Sequence, residues 1–209
     1  MLRRVPQPRA LVLKARQESR ERIVAAAGAL LRDRAYGALT VDDVMREAGF
    51  GRTIFYRHFD DLAGLLLQAG QAAMQELYEI ERAFSDAPRI AGPEVVRAAI
   101  EPVVRVHERH GPLLRAIDEA AATGDERIGA AQRELRERFD DLLAETLEAS
   151  PHLARHPLAD RRETARALNR MTERYLMDTY GREPRVTADV ALRTLAEIWN
   201  ALIHGEPPS

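Results

Sequence analysis

The stretch Thr40-Val-Asp-Asp-Val-Met-Arg-Glu-Ala-Gly-Phe-Gly-Arg-Thr-Ile-Phe-Tyr-Arg-His-Phe59 decides the fold. Thr40 followed three positions later by Asp43 is a helix-capping pair: the hydroxyl accepts an orphan amide of the first turn, and the carboxylate reaches back. Asp42 and Asp43 also complement the positive end of the helix dipole. A short helix therefore runs from Val41 to about Ala48. Gly49 stands where a left-handed cap is wanted, and Arg52 to His58 reads as a second short helix anchored by Phe50, Phe55 and Phe59. Two short helices about a glycine turn form a helix-turn-helix, whose second helix enters the major groove of DNA.

Phe55 and Phe59 must point into a core, so Arg52, Thr53, Tyr56, Arg57 and His58 are left to face a duplex. Arg52 is the best candidate for a guanine contact, because a guanidinium matches the two acceptors of that base. Over about residues 18–67 the sequence resembles the head of the tetracycline-repressor (TetR) family, with a capping threonine at Thr40, Ala48-Gly49 at the turn and Phe55-Tyr56-x-x-Phe59 on the recognition helix. The resemblance implies that Thr40 fixes the backbone at the first short helix, that Tyr56 and His58 meet phosphates, and that Arg52 and Thr53 read base edges. The chain departs from the family at Leu62, where a lysine is usual, and at Gly51, where a serine is. Phosphate anchoring is then expected to lean on the N-terminal arm.

That arm, residues 1–15, carries Pro6, Pro8 and several arginines without periodicity and is expected to be flexible and basic. From Arg16 to Arg34, Ile23, Ala26, Ala27, Leu30 and Leu31 mark one face of a helix, completing a DNA-binding domain over 16–60. Residues 1–60 hold twelve basic and seven acidic side chains, about +5, and the rest of the chain about −7. A basic head on an acidic body suits a polyanion partner.

Residues 61–209 read as a second, helical domain for ligand binding and dimerisation. Asp61 caps a long helix with apolar positions from Leu62 to Phe84, ending at a loop over Ser85–Gly92. Gly92-Pro93 opens another that Pro102 interrupts, Gly111-Pro112 starts a further one to about Ala122, and a charged helix ends near Ser150-Pro151. Two more span about Asp160–Tyr180 and Thr187–His204. The expectation is an all-α chain of about nine helices with no sheet.

The run Ala167–Leu176 and the run Ile198–Glu206 resemble one branch of the family, the mycobacterial repressors of ethionamide activation. The resemblance implies a homodimer through the last two helices and an apolar tunnel closed by Asn169 and Trp199. Thr172 supplies a second polar position beside Tyr175, and Val96 and Val103 replace aromatic walls, so the ligand is expected to be a different small apolar effector carrying one polar group.

Among the 209 residues there is no cysteine, so disulfides, thiolate metal sites and a cysteine nucleophile are excluded. There is no phosphate-binding glycine loop, HExxH or GxSxG, and no enzyme or cofactor is expected. His107-x-x-His110 and His152-x-x-x-His156 have helical spacing for two imidazoles, yet neither brings further ligands, and no metal is expected. With no apolar leader or membrane-length segment, a cytoplasmic protein is expected. The function these readings imply is a ligand-responsive regulator on double-stranded, palindromic operator DNA, most simply a repressor. An activator of the same kind, or a helical adaptor without a DNA target docking through Arg133–Glu148, are the alternatives.

Overall fold

The computed structural model describes residues 8–85 and 93–205. Among these residues there are nine α-helices and no strand: α1 (Pro8–Asp33), α2 (Val41–Ala48), α3 (Arg52–Phe55), α4 (Leu62–Ser85), α5 (Pro93–Ala122), α6 (Glu126–Glu148), α7 (Pro151–Arg155), α8 (Arg161–Tyr180) and α9 (Ala188–His204). None of the described helices is long and apolar enough to cross a membrane. The all-α class is as the periodicity predicts.

Residues 8–15, expected as part of a flexible arm, are instead the first turns of α1. Proline is suited to a helix start, where its missing amide would go unbonded anyway, and Ala10, Leu11, Leu13, Lys14 and Ala15 are strong helix formers. Leu13 is exposed, so these turns extend past the core. Arg3, Arg4 and Pro6 lie outside the described residues.

The head closes on Ile23, Leu31, Val44, Met45 and Phe55, all fully buried. Its core does not stop at the end of α3: Leu65 and Leu66 of α4, Ala116, Ile117 and Ala120 of α5 and Ile128 of α6 belong to the same cluster. The helix-turn-helix segment is thus packed directly onto the rest of the chain. A second cluster joins α5, α6, α8 and α9 through Val104, Leu147, Leu176, Leu192 and Leu195.

The helix count conceals one exchange, a helix lost and a helix gained. Gly111-Pro112 starts no new helix, for α5 runs unbroken through Pro102 and Pro112. An interior proline costs about 3 kcal/mol, which burial of Ile100, Val104, Val106, Leu114 and Ile117 along α5 offsets. Gly111 is there for proximity: a Cβ on it would lie 2.1 Å from the carbonyl oxygen of Tyr180 at the end of α8. The ninth helix is α7, where the Ser150 Oγ accepts from the Leu153 amide at 3.2 Å and donates to the Ile203 carbonyl at 2.5 Å. It ties the end of α6 to α9.

Candidate DNA-reading surface and ligand cavity

The capping pair forms as its spacing requires: the Asp43 amide donates to Thr40 Oγ1 at 3.1 Å, and the Thr40 amide to Asp43 Oδ2 at 3.3 Å. Gly49 takes φ 72° and ψ 34°, the left-handed cap that lets the chain turn from α2 towards α3. Three side chains of α1 then hold the reading segment. Arg22 donates to the Ala48 carbonyl at 2.7 Å and lies over the Phe50 ring at 4.3 Å. Arg16 donates to the Arg57 carbonyl at 3.2 Å, and Ser19 Oγ is 2.9 Å from His58 Nε2. The targets of Arg16 and Arg22 are distant in the chain, and no local pattern announces them.

α3 is shorter than the sequence suggests, and turn bonds from His58 and Phe59 to the Phe55 carbonyl, at 2.8 and 3.0 Å, carry the chain onward. Phe55 and Phe59 are buried, while Thr40, Arg52, Thr53, Tyr56 and Arg57 are exposed. Arg52 donates to Tyr56 Oη at 3.3 Å and sits 3.6 Å from the Asp42 carboxylate. Both contacts are solvent-exposed and therefore weak, so Arg52 is free to exchange them for a base edge. His58 differs from the other five. It is half-buried against α1, and burial, followed by the charges of Arg16, Arg20 and Arg57, lowers its pKa.

A cavity of about 490 Å³ lies between α4, α5, α6, α8 and α9. Val96, Val103, Asn169, Thr172 and Trp199 all line it, and Tyr175 does not. At about 100° per residue, Thr172 and Tyr175 step progressively away from Asn169 round α8, whereas Glu173, four residues on, returns to the same face. Tyr175 packs instead against the core of α5, α8 and α9. The polar pair expected as a ligand handle is already engaged: Asn169 Nδ2 donates to Asp140 Oδ1 at 2.9 Å, and Trp199 Nε1 to Thr172 Oγ1 at 3.1 Å.

Among the further polar residues that line the cavity are His107, Gln132, Arg136, Arg170 and Glu173. His107 is buried, which lowers its pKa, and its Nδ1–H donates to the Val103 carbonyl at 2.9 Å, leaving Nε2 as the acceptor. Arg136 bridges Glu173 at 2.7 Å and Asp118 at 2.8 Å. Gln132 is buried and its Oε1 has no hydrogen-bond partner. It falls in the row Ile128, Gln132, Leu135, Phe139 of α6, an apolar stripe whose single amide was the available signal. His107 and His110 go to separate partners, His110 Nε2 lying 3.1 Å from Glu76 Oε1, while the His152 and His156 rings lie against each other with centroids 4.7 Å apart.

Residues 23–69 match the family of bacterial regulatory proteins called tetR, and residues 96–205 match the C-terminal domain of the transcriptional regulator EthR. The HTH-type transcriptional regulator EthR of Mycobacterium tuberculosis (strain ATCC 25618 / H37Rv) is 28% identical over 187 residues, spanning 88% of this chain and 86% of that protein. A TetR-like transcriptional regulator from Rhodococcus sp. RHA1 superposes with a TM-score of 0.68 at 20% identity, over 89% of this chain and 96% of that one. The TetR family regulator PfmR from Thermus thermophilus gives 0.69 at 17% identity, over 87% and 96%. The EthR-type match alone takes in more than half of the chain. With a capped helix-turn-helix packed onto a helical body that encloses an apolar cavity, this chain belongs to the tetR family of bacterial regulatory proteins, which are DNA-binding transcriptional regulators and not enzymes.

Proposed function

We propose that the protein is a repressor that grips a palindromic operator as a homodimer in the cytoplasm and lets go when a small apolar effector fills the cavity. The observation that carries this reading is that α4 belongs to both sites. Its first turns, Ala63, Leu65 and Leu66, sit in the core of the head, and its later turns, Met74, Leu77 and Phe84, line the cavity. A ligand that displaces the later turns therefore moves the reading segment.

Two arginines add polar links along the same route. Arg127, at the start of α6, reaches Asp61 Oδ2 at 3.0 Å, and Asp61 caps α4 by accepting from the Gly64 amide at 2.6 Å. Arg115 on α5 donates to the carbonyls of Leu31 at 2.9 Å and Arg34 at 3.0 Å in the head, and to that of Gly181 at 2.7 Å in the body. Met171 on α8 and Val190 and Ile198 on α9 are large apolar side chains left exposed, which supports pairing of two protomers through these helices.

In the bound state Arg52 and Thr53 read base edges, Tyr56 and Arg57 meet phosphates, Thr40 orders α2, and His58 positions the segment through Ser19. A dimer presents two such segments, and only one separation matches successive major grooves, about 34 Å apart. The effector stabilises another separation, and its preference for the unbound state sets how far operator affinity falls. The test is titration of the DNA upstream of the protein's own gene, with and without long apolar probes. Tight, salt-sensitive binding that a probe relieves supports the reading; no binding to any flanking duplex overturns it.

A further inference from the structure

We infer that Gln132 is the polar contact of the cavity, and that the effector is a long, uncharged, apolar molecule carrying an N–H or O–H donor, as a fatty amide or alcohol does. This rests on the cavity being the effector site. Gln132 is 6% exposed and lines the cavity, and its Oε1 is left without a partner. A buried amide oxygen lacking a donor is a standing penalty, and a ligand N–H or O–H that meets it, once the terminal amide rotates towards the cavity, removes that penalty. An ether, ester or tertiary amide of the same shape has no proton to offer.

The other polar groups discussed along the walls are occupied, save the His107 Nε2, an acceptor that calls for the same kind of donor. Thr172 accepts from Trp199, Asn169 donates to Asp140, and the His107 Nδ1–H is held by the Val103 carbonyl. The two arginines at the cavity each already face two carboxylates, Arg136 with Asp118 and Glu173, and Arg170 with Asp140 and Glu173. A carboxylate ligand would have to compete with those partners and lose its own hydration, which disfavours an anionic head group. From Gln132, the cavity wall continues along α6 through Leu135, Phe139 and Leu143, about 16 Å of apolar surface at 1.5 Å per residue. A single polar head at Gln132 with an alkyl chain along that row satisfies both.

The test uses three probes on the full-length protein: dodecanamide, N,N-dimethyldodecanamide and dodecanoate, with dissociation constants from calorimetry. Dodecanamide is expected to bind about tenfold more tightly than its dimethyl analogue, and dodecanoate most weakly. In Gln132→Leu the preference for the primary amide disappears while the dimethyl analogue binds at least as well, and Gln132→Met serves the same end if the leucine variant folds poorly. Equal binding of the two amides, a preference that survives both substitutions, or dodecanoate as the tightest ligand overturns the role of Gln132 and leaves the cavity as an effector site. Failure of all three to bind the wild type removes the effector-site reading and the inference together.

Discussion

Thr40 shows what one side chain contributes to the reading surface. Its hydroxyl caps α2 and it stands exposed beside the segment that carries Arg52, so it acts through backbone order. Thr40→Ala is expected to cost about 1 kcal/mol and to lower the melting temperature by about 2–4 °C, with Thr40→Ser close to wild type by calorimetry. His107 sets a pH dependence of definite sign. Burial holds its folded pKa below the ordinary 6.5, so the folded state binds its proton more weakly than the unfolded chain does. The stability it contributes is complete above about pH 6.5 and is lost as pH falls below that towards the folded value. Denaturant unfolding at pH 7 and pH 5.5 is expected to show wild type weakening on acidification, and His107→Leu is expected to weaken less. An equal pH slope in the two proteins would refute this account.

Among the helices, two crossings depend on the absence of a side chain. At Gly111 the obstacle is backbone, the Tyr180 carbonyl, which cannot rotate away. Gly111→Ala is therefore expected to force α5 and α8 apart and to destabilise by about 3 kcal/mol, read as a lower denaturation midpoint. At Gly70, where α4 crosses α5, a Cβ would lie 2.4 Å from Cδ1 of Ile117, the flexible end of a side chain that also lines the cavity. Gly70→Ala is expected to cost about 1 kcal/mol or less while reshaping the cavity, so that probe affinity changes more than the melting temperature does. These crossings explain why Gly111-Pro112 misleads as a sequence signal. Glycine followed by proline is an ordinary helix boundary, and only the arrival of α8 at that point gives it another meaning.

For the molecule as a whole, the shared core and α4 join the head to the walls of the cavity, and Arg127 adds a polar link. Its ion pair with Asp61 is about half exposed, so Arg127→Ala should leave stability nearly unchanged. It is nonetheless expected to reduce the ratio of operator affinities measured without and with effector, because the link joins α6 to the cap of α4. An unchanged ratio would exclude the link from the coupling. Ile198→Asp is expected to give monomers by analytical ultracentrifugation and to weaken operator binding strongly, since one half-site contact is lost.

Much of this could be read from residue order alone, namely the capping pair at Thr40 and Asp43, the left-handed Gly49, the split between Phe55 and Phe59 within and Arg52 and Tyr56 without, and the spans of α8 and α9. All are interactions within about one helical turn, which neighbours in the chain impose wherever the segment lies. Packing between distant segments decided the remainder. It carried α5 through two prolines, turned Tyr175 away from the cavity while admitting Glu173, and took up Asn169 and Thr172 in bonds to Asp140 and Trp199. It also left the Gln132 Oε1 alone. Whether a buried polar atom has a partner depends on which other helices approach it, and that is a property of the assembled bundle, not of any one stretch of sequence.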